Sequence, residues 1–402
     1  MTRIAPHRDR SVLAYLLFRF FEDFALVYPV YLIYFEHVGL DYLELSLLLL
    51  IWGVPVILME VPSGIVADLW SRKVSLAVGL LLKAAGFAVW LARPDFAGFA
   101  LGFVLWGLQE AICTGTVDAL LYDLLAARGE EKRFVAISGR GAFASRAGVV
   151  LSVLLGGWVY TQSVALVLVA SVVSMLVAAG LATGIREHRP PKSSEMTGGR
   201  QSVVSSLLAR LREIADSVRT ALSLPAFAPL VIFGSLATVT YGVLDEYDFL
   251  FATRVGVPVA LVGIWGATRF VCEGVGGACA ERVRQWFGLA SVRRLSLWMG
   301  SAGLLLIPAA ALGRVVVLPL YFVYFFMMAS AEVIFQGWIQ ERIESTGRAT
   351  VSSLVSMVYE ILGATLLIGA GVVSSRYGLE AIFVFGGVVA VVAAAVFGML
   401  RR

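Results

Sequence analysis

Charged residues are scarce in this 402-residue chain: Asp, Glu, Lys and Arg make up 15% of it, against about 25% in a soluble globular domain. That scarcity excludes a protein solvated by water on every side. Histidine and cysteine are scarcer still, with three of each. His7, His37 and His188 fall outside the apolar runs while Cys113, Cys272 and Cys279 fall inside them, and no CxxC occurs. No metal centre and no cofactor are expected from such a set. Cys272 and Cys279 stand two helical turns apart, roughly 10 Å by helical rise, which excludes a disulfide between them. Packing is the role expected of these thiols. The absence of a Gly-Lys dipeptide removes a P-loop, and with it direct use of ATP. Neither HExxH nor GxSxG is present, and no His lies within the apolar runs, so an enzyme is not expected.

What is abundant is apolar: 59% of residues are hydrophobic and the mean hydropathy is +0.86. A bilayer core about 30 Å thick takes roughly 20 apolar residues per helix. Candidate spans fall near 12–35, 43–67, 74–92, 96–122, 134–160 and 163–184, then near 227–252, 259–281, 289–312, 315–340, 349–374 and 379–400. This predicts an all-α membrane protein with twelve transmembrane helices in two six-helix bundles, residues 1–184 and 227–402. Residues 185–226 join them as a cytoplasmic linker rich in Pro, Ser, Gly and charge. Within it, Val204, Leu207, Leu208, Leu211, Ile214, Ala215, Val218 and Leu222 recur at helical spacing, with Arg210, Arg212 and Arg219 between them. That pattern suits either a helix lying on anionic headgroups or a strut between the halves.

Most of the 32 basic residues lie at the termini, in the linker and in the loops after spans 2, 4, 8 and 10. The opposite loops hold only Arg93, Arg254, Arg314 and Arg376. Basic residues are retained on the cytoplasmic side, so both termini are expected to be cytoplasmic, in a multi-pass protein of the cell (inner) membrane. The basic residues form no cluster suited to nucleic acid. The first ten residues are polar, and the run after them carries Arg19, Glu22 and Asp23 without a small-residue cleavage site; a cleaved signal peptide is not expected.

The halves repeat. An offset of 213 residues lays Trp52 on Trp265, Gly53 on Gly266, Glu60 on Glu273, Gly64 on Gly277 and Ala67 on Ala280. An offset of 215 pairs Ser138 with Ser353, Gly148 with Gly363 and Gly156 with Gly371. Parallel repeats of this kind hold a solute near the membrane midplane.

After span 2 the chain reads GIVADLWSRK, where Gly64, Asp68, Arg72 and Lys73 take the positions of a Gly, an Asp four residues on and a basic pair. This segment resembles the signature loop of the major facilitator superfamily. Ser71 stands where that family usually has Gly, and no Arg follows the Asp directly. The resemblance implies a pseudo-symmetric major facilitator fold, and a charge network that latches one state and breaks on opening. Asp123, at the cytoplasmic end of span 4, is the position from which the family offers the loop arginine a partner; it is expected near Arg72 or Arg140, unless it is simply a solvated helix end. Span 5 carries Gly156 and Gly157 but has Ser152 and Val153 in place of the Gly-Pro of family exporters. Span 4 shows Gln109 and Glu110 where proton-driven members commonly carry an Arg.

Charges within the spans carry the chemistry, because an ionisable group at the bilayer centre costs a few kcal/mol and normally faces a cavity or a partner. Arg19 precedes Glu22 and Asp23 by three and four residues, which puts at least one acid on its helix face. In the family, spans 1, 4, 7 and 10 line a central cavity, and this makes Glu22, Asp23, Glu110, Asp118, Asp245, Asp248 and Glu332 lining candidates. Arg19, Arg140, Arg146 and Arg269 are the bases able to clasp an anionic solute. Burial disfavours the charged form of a carboxyl, so such acids can exchange protons at working pH. A static salt bridge is the alternative for each, and Glu60 and Glu273, being repeat-related, read as structural. Tyr15, Phe20, Tyr28, Tyr31, Trp106, Tyr241, Tyr247, Tyr324 and Trp338 serve either to stack on a ligand or to pack the core.

The resemblance and the charges together imply a monomeric, lipid-embedded transporter working by alternating access. It would exchange protons for a small lipophilic, neutral or cationic compound, as drug exporters do. A polar or anionic metabolite or a metal chelate is the alternative cargo, and a membrane sensor that moves nothing is the alternative from another class.

Overall fold

The protein is described by a computed structural model covering residues 6–69, 71–187, 212, 228–313, 318–342 and 348–400. The amphipathic stretch 204–222 lies outside the described residues apart from Arg212, and so do the side chains of 60–69. Two compact units make up the chain, one of residues 1–38 and 51–211, the other of residues 39–50 and 212–402.

The first unit holds α1 (Pro6–Asp23), α2 (Tyr31–Val38), α3 (Tyr42–Leu69), α4 (Arg72–Ala92), α5 (Phe96–Cys113), α6 (Thr116–Ala126), α7 (Phe134–Gln162) and α8 (Val164–Gly184). The opening residues of α3 belong to the second unit, where Ser46 Oγ and Tyr247 OH share a hydrogen bond of 2.7 Å. That unit continues with α9 (Ala228–Glu246), α10 (Asp248–Arg254), α11 (Val262–Ala278), α12 (Ala280–Phe287), α13 (Val292–Leu312), α14 (Leu318–Arg342), α15 (Arg348–Tyr377) and α16 (Glu380–Met399). Among the described residues ten helical stretches are long and apolar enough to cross a membrane. Helices are what such sequences form, because in lipid every backbone N–H and C=O must find its partner within the segment.

The internal repeat is visible in the packing of each unit. In the first, α4 packs on α5 and α8, and α1 packs on α7 and α8. In the second, the equivalent α13 packs on α14 and α16, and α9 packs on α15 and α16.

Two expected spans are absent from that set of ten, and both are interrupted. Span 12–35 is α1 and α2 separated at residues 24–30, where Pro29 lacks the N–H and obstructs the turn before it. Backbone groups freed there are taken up by serines of neighbouring helices. Ser174 Oγ donates to the Phe21 carbonyl at 2.9 Å, and Ser171 Oγ accepts from the Val27 N–H at 3.2 Å. Span 227–252 breaks at Tyr247, between α9 and α10. Span 4 is interrupted as well, at Thr114 and Gly115, where Gly115 takes φ +75°, a conformation suited to glycine. Thr114 Oγ1 bonds the Glu110 carbonyl at 2.8 Å, and Thr116 Oγ1 the Ile112 carbonyl at 2.7 Å. Cys279 lies at the junction of α11 and α12, outside the single helix expected for it and Cys272, and all three cysteines are free thiols.

Glycines of α7 let α1 and the interruption come close. A Cβ at Gly148 would meet the Phe20 carbonyl, and one at Gly156 the Leu26 carbonyl and the Pro29 ring. On the loop before α5, Asp95 caps the helix by accepting from the Gly98 N–H at 2.8 Å, and it also takes the Arg93 Nε at 2.8 Å. Arg93 first, and the Gly98 N–H second, hold its carboxyl below the usual carboxylate range. The cap is therefore in force at neutral pH and is lost only as pH falls through that lowered value.

Candidate functional site

The interruption of span 1 gathers charge. Arg19 Nη1 donates to Glu22 Oε2 at 2.8 Å, one turn along α1, so Glu22 is the acid that shares the arginine's face. Asp23 instead accepts from Ser145 Oγ of α7 at 2.5 Å. These groups line a cavity of about 360 Å³ within the first unit. Its wall also carries Lys83 of α4, Gln109 and Glu110 of α5, and Asp118 of α6.

Lys83 is 2% exposed. Its Nζ donates to Tyr28 OH at 2.9 Å and lies 4.9 Å from the centre of the Trp106 ring. No carboxylate comes within ion-pair distance of it among the described residues. Gln109 is also 2% exposed, and its Oε1 has no hydrogen-bond partner among the described residues. Among the described residues the side chains of Glu110, half-buried, and Asp118, exposed, make neither hydrogen bond nor ion pair.

In the second unit three carboxylates converge on one guanidinium. Arg269 of α11, 1% exposed, pairs with Asp245 of α9, Asp248 of α10 and Glu273 one turn along its own helix. Asp248 is fully buried and accepts three bonds: Arg269 Nε at 2.7 Å, Trp265 Nε1 at 2.5 Å and Tyr321 OH at 2.5 Å. Asp245 differs, because its side chain remains 42% exposed and faces Arg269 Nη2 as an ion pair without hydrogen-bond alignment. The break at Tyr247 separates Asp245 from Asp248, and both reach the arginine, at Nη2 and Nε. A separate acid, Glu332 of α14, accepts from Tyr241 OH at 2.5 Å and Tyr359 OH at 3.3 Å.

At the start of α4, Arg72 Nη1 is ion-paired with Asp123 of α6 and donates to the Ala119 carbonyl at 3.2 Å. Ser71 caps the helix, accepting from the Val74 N–H at 3.4 Å, and also donates to Glu187. The second oxygen of Glu187 accepts from the Arg72 N–H at 2.9 Å. A carboxylate on two donors of a helix N-terminus is favourably placed against the helix dipole.

The sequence profile of the Major Facilitator Superfamily matches residues 12–366. The chain belongs to that superfamily. It is 20% identical over 229 residues to an uncharacterized MFS-type transporter, YxaM of Bacillus subtilis (strain 168). That match takes in 57% of this chain and spans only 55% of the relative's length. The fold matches the crystal structure of the nucleoside transporter NupG with a TM-score of 0.73 at 15% identity, covering 98% of this chain and 99% of that one. It matches a bacterial homolog of the human lysosomal transporter Spinster, in an inward-facing and unoccupied conformation, with a TM-score of 0.71 at 16% identity over 99% and 97% of the two chains. A bacterial homologue of the iron transporter ferroportin gives 0.67 at 16% identity over 98% of each chain.

For this superfamily chain, Arg19, Glu22, Asp23, Glu110 and Asp118 are among the residues around the cavity of the first unit. Asp245, Asp248 and Arg269 share the ion cluster. Glu332 sits with tyrosines. Asp123, expected near Arg72 or Arg140, is at Arg72. Arg140 and Arg146 of α7 are exposed, without an ion pair among the described residues, and neither lines the cavity. A step of one residue turns a helix by about 100°, so it is Ser145, beside Arg146, that faces Asp23. Lys73 is half-buried without an ion pair among the described residues, and Gly64 and Asp68 fall where side chains are not described.

Sequence reasoning left Lys83 out of the cavity because span 3 is not among the lining spans. Its signal was a lone lysine in an apolar helix with no acid within one turn. Glu273, read as structural from its repeat partner, carried a signal in the Arg269/Glu273 spacing of four. Glu187, at the edge of the linker, had none.

Proposed function

We propose that the chain is a secondary active transporter working by alternating access, exchanging protons for a small polar solute that carries positive charge. The observation that carries this reading is the convergence of Asp245, Asp248 and Glu273 on Arg269. Three acids against one base leave two negative charges over at full ionisation, in a site where Asp248 is wholly enclosed. In this reading the transported proton is taken up at Asp245, the acid of the cluster with the most exposed side chain. The exposed face of Asp245 gives that proton a way in and out. In the first unit the cavity wall holds four acids against two bases, which supports a polar cargo with an amine over a lipophilic one.

In this reading the protein is a multi-pass monomer of the cell (inner) membrane with both termini cytoplasmic. Its working halves are residues 1–184 and 227–402, joined by 185–226. The distribution of Lys and Arg supports the orientation, and the solved relatives of this fold are themselves described as transporters.

The test uses proteoliposomes loaded with a pH-sensitive dye and challenged with a library of polar amines, zwitterions and anions. At least one amine-bearing solute is expected to drive protons out as it enters, in protein-containing vesicles only. Asp245→Asn is expected to remove that proton movement. No solute-evoked proton movement from any library member, or an unchanged response in Asp245→Asn, defeats the reading.

A further inference from the structure

We propose that the cavity of the first unit binds a small zwitterion, its carboxylate held by Lys83 and its ammonium by Glu110 and Gln109. This names the cargo of the transport reading above and rests on it.

The polar groups around the cavity divide into those already satisfied and those not. Arg19 and Glu22 neutralise each other, and Asp23 is held by Ser145. Lys83 has three donors and gives one to Tyr28. Its remaining donors make no ion pair among the described residues, although the side chain is 2% exposed; Glu110 and Asp23 act on its charge only from beyond ion-pair distance. Tyr28 and Trp106 rings beside the ammonium lessen the cost of its charge, but they accept no ordinary hydrogen bond from it. An anion at Lys83 would offset the rest.

Gln109 supplies the independent sign of a ligand. Its Oε1 is buried and accepts no hydrogen bond among the described residues, and the residue is one of those around the cavity. A buried amide oxygen without a donor costs about 1–3 kcal/mol, and a ligand N–H would remove that cost. Glu110, the next residue, holds a carboxylate with no donor of its own. Helices α4 and α5 meet at this level, since a Cβ at Gly79, four residues before Lys83, would lie 3.6 Å from the Gln109 Cγ. The acceptors and the cation therefore belong to one small space.

A simple amine would satisfy Glu110 and Gln109 but set a positive charge beside Lys83. A simple carboxylate would satisfy Lys83 and meet the repulsion of Glu110 and Asp118. Only a molecule with both charges answers both walls. The volume, about 360 Å³, is at the lower end of the roughly 300–1,000 Å³ typical of ligand pockets, which calls for a compact skeleton.

The experiment measures binding to the purified full chain by titration calorimetry. The probes are ω-amino carboxylates of graded chain length, each with the matching n-alkylamine and n-alkanoate. At least one zwitterion should bind about tenfold or more tightly than both of its single-charge counterparts, a difference of about 1.4 kcal/mol. Lys83→Gln should erase the advantage over the amine, and Glu110→Gln the advantage over the alkanoate. Should Lys83→Gln not fold, Glu110→Gln decides alone, because that carboxylate makes no hydrogen bond or ion pair among the described residues. Amines binding as tightly as zwitterions, or no zwitterion binding at all, overturns the assignment. Proton movement evoked by some other solute, without zwitterion binding, would sink this assignment and leave the transport reading intact. Zwitterion binding without any proton movement would do the reverse.

Discussion

Arg269→Ala is expected to lower the stability of the second unit by about 3–5 kcal/mol, the usual consequence of removing one partner from a buried ion pair. The arginine is 1% exposed and is the base common to Asp245, Asp248 and Glu273. Without it, three acids must either hold unmatched charge or take up protons, and the rings of Phe270 and Phe325 beside the guanidinium would face a void. Thermal unfolding in detergent, followed by size-exclusion profile, reads the loss. A compensated variant separates the arginine's structural part from its chemical one. Arg269→Gln combined with Asp245→Asn, Asp248→Asn and Glu273→Gln removes every charge in the cluster and retains hydrogen-bonding groups. It should recover most of the stability and none of the proton movement. A compensated variant that still moved protons would mean the cluster is only a brace. An Arg269→Ala protein as stable as the parent would mean the ion pairs are not formed.

Breaking the Arg72–Asp123 pair should act on the cycle and spare the fold. Their side chains are 24% and 20% exposed, so water compensates part of the lost attraction, and the cost in stability is small. The cost in turnover is larger. As the latch that the superfamily's signature loop implies, the pair would set the ratio of two conformations, and each tenfold change in that ratio requires about 1.4 kcal/mol of difference. Arg72→Ala and Asp123→Ala are each expected to reduce turnover about tenfold with unchanged melting. The exchanged double variant, Arg72→Asp with Asp123→Arg, should recover part of the rate. Additive losses in the double variant would show that the two residues act separately.

The spans with long apolar runs and turn residues between them were readable from sequence, because the bilayer imposes length and polarity directly. The interruptions were hidden from the same reasoning. Residues 12–35 remain apolar enough to pass for one helix, and hydropathy does not register that Pro29 lacks an N–H or that Ser171 and Ser174 stand ready on another helix to meet the freed backbone. Gly115 was similarly invisible inside span 4. These breaks matter because they sit where the charges gather, beside Asp23, Glu110 and Asp118 in the first unit and between Asp245 and Asp248 in the second.

Repeat symmetry is visible in the fold, while the charges differ between the two halves. The offset of 213 that lays Trp52 on Trp265 puts Val56 opposite Arg269 and Phe35 opposite Asp248 (269 − 213 = 56; 248 − 213 = 35). Trp265 donates to Asp248, whereas the buried Nε1 of Trp52 has no hydrogen-bond partner among the described residues. The ion cluster therefore belongs to one half alone, and Glu273 takes part in it for a reason that its counterpart Glu60 does not share. Ser71 departs from the family's glycine, and in the structure it caps α4 and bonds Glu187. Pair geometry between distant helices, as at Lys83 with Tyr28 and Trp106, lay beyond the reach of spacing along one chain.

Infrared difference spectroscopy of the reconstituted protein, stepped from mildly alkaline to mildly acidic pH, addresses the transported proton most directly. A protonated-carboxyl band should grow in the parent and shift or vanish in Asp245→Asn, Asp248→Asn and Glu273→Gln alike, since all three acids are ion-paired to Arg269. A band unaltered in all three variants, or no protonated carboxyl across the range, would contradict the account.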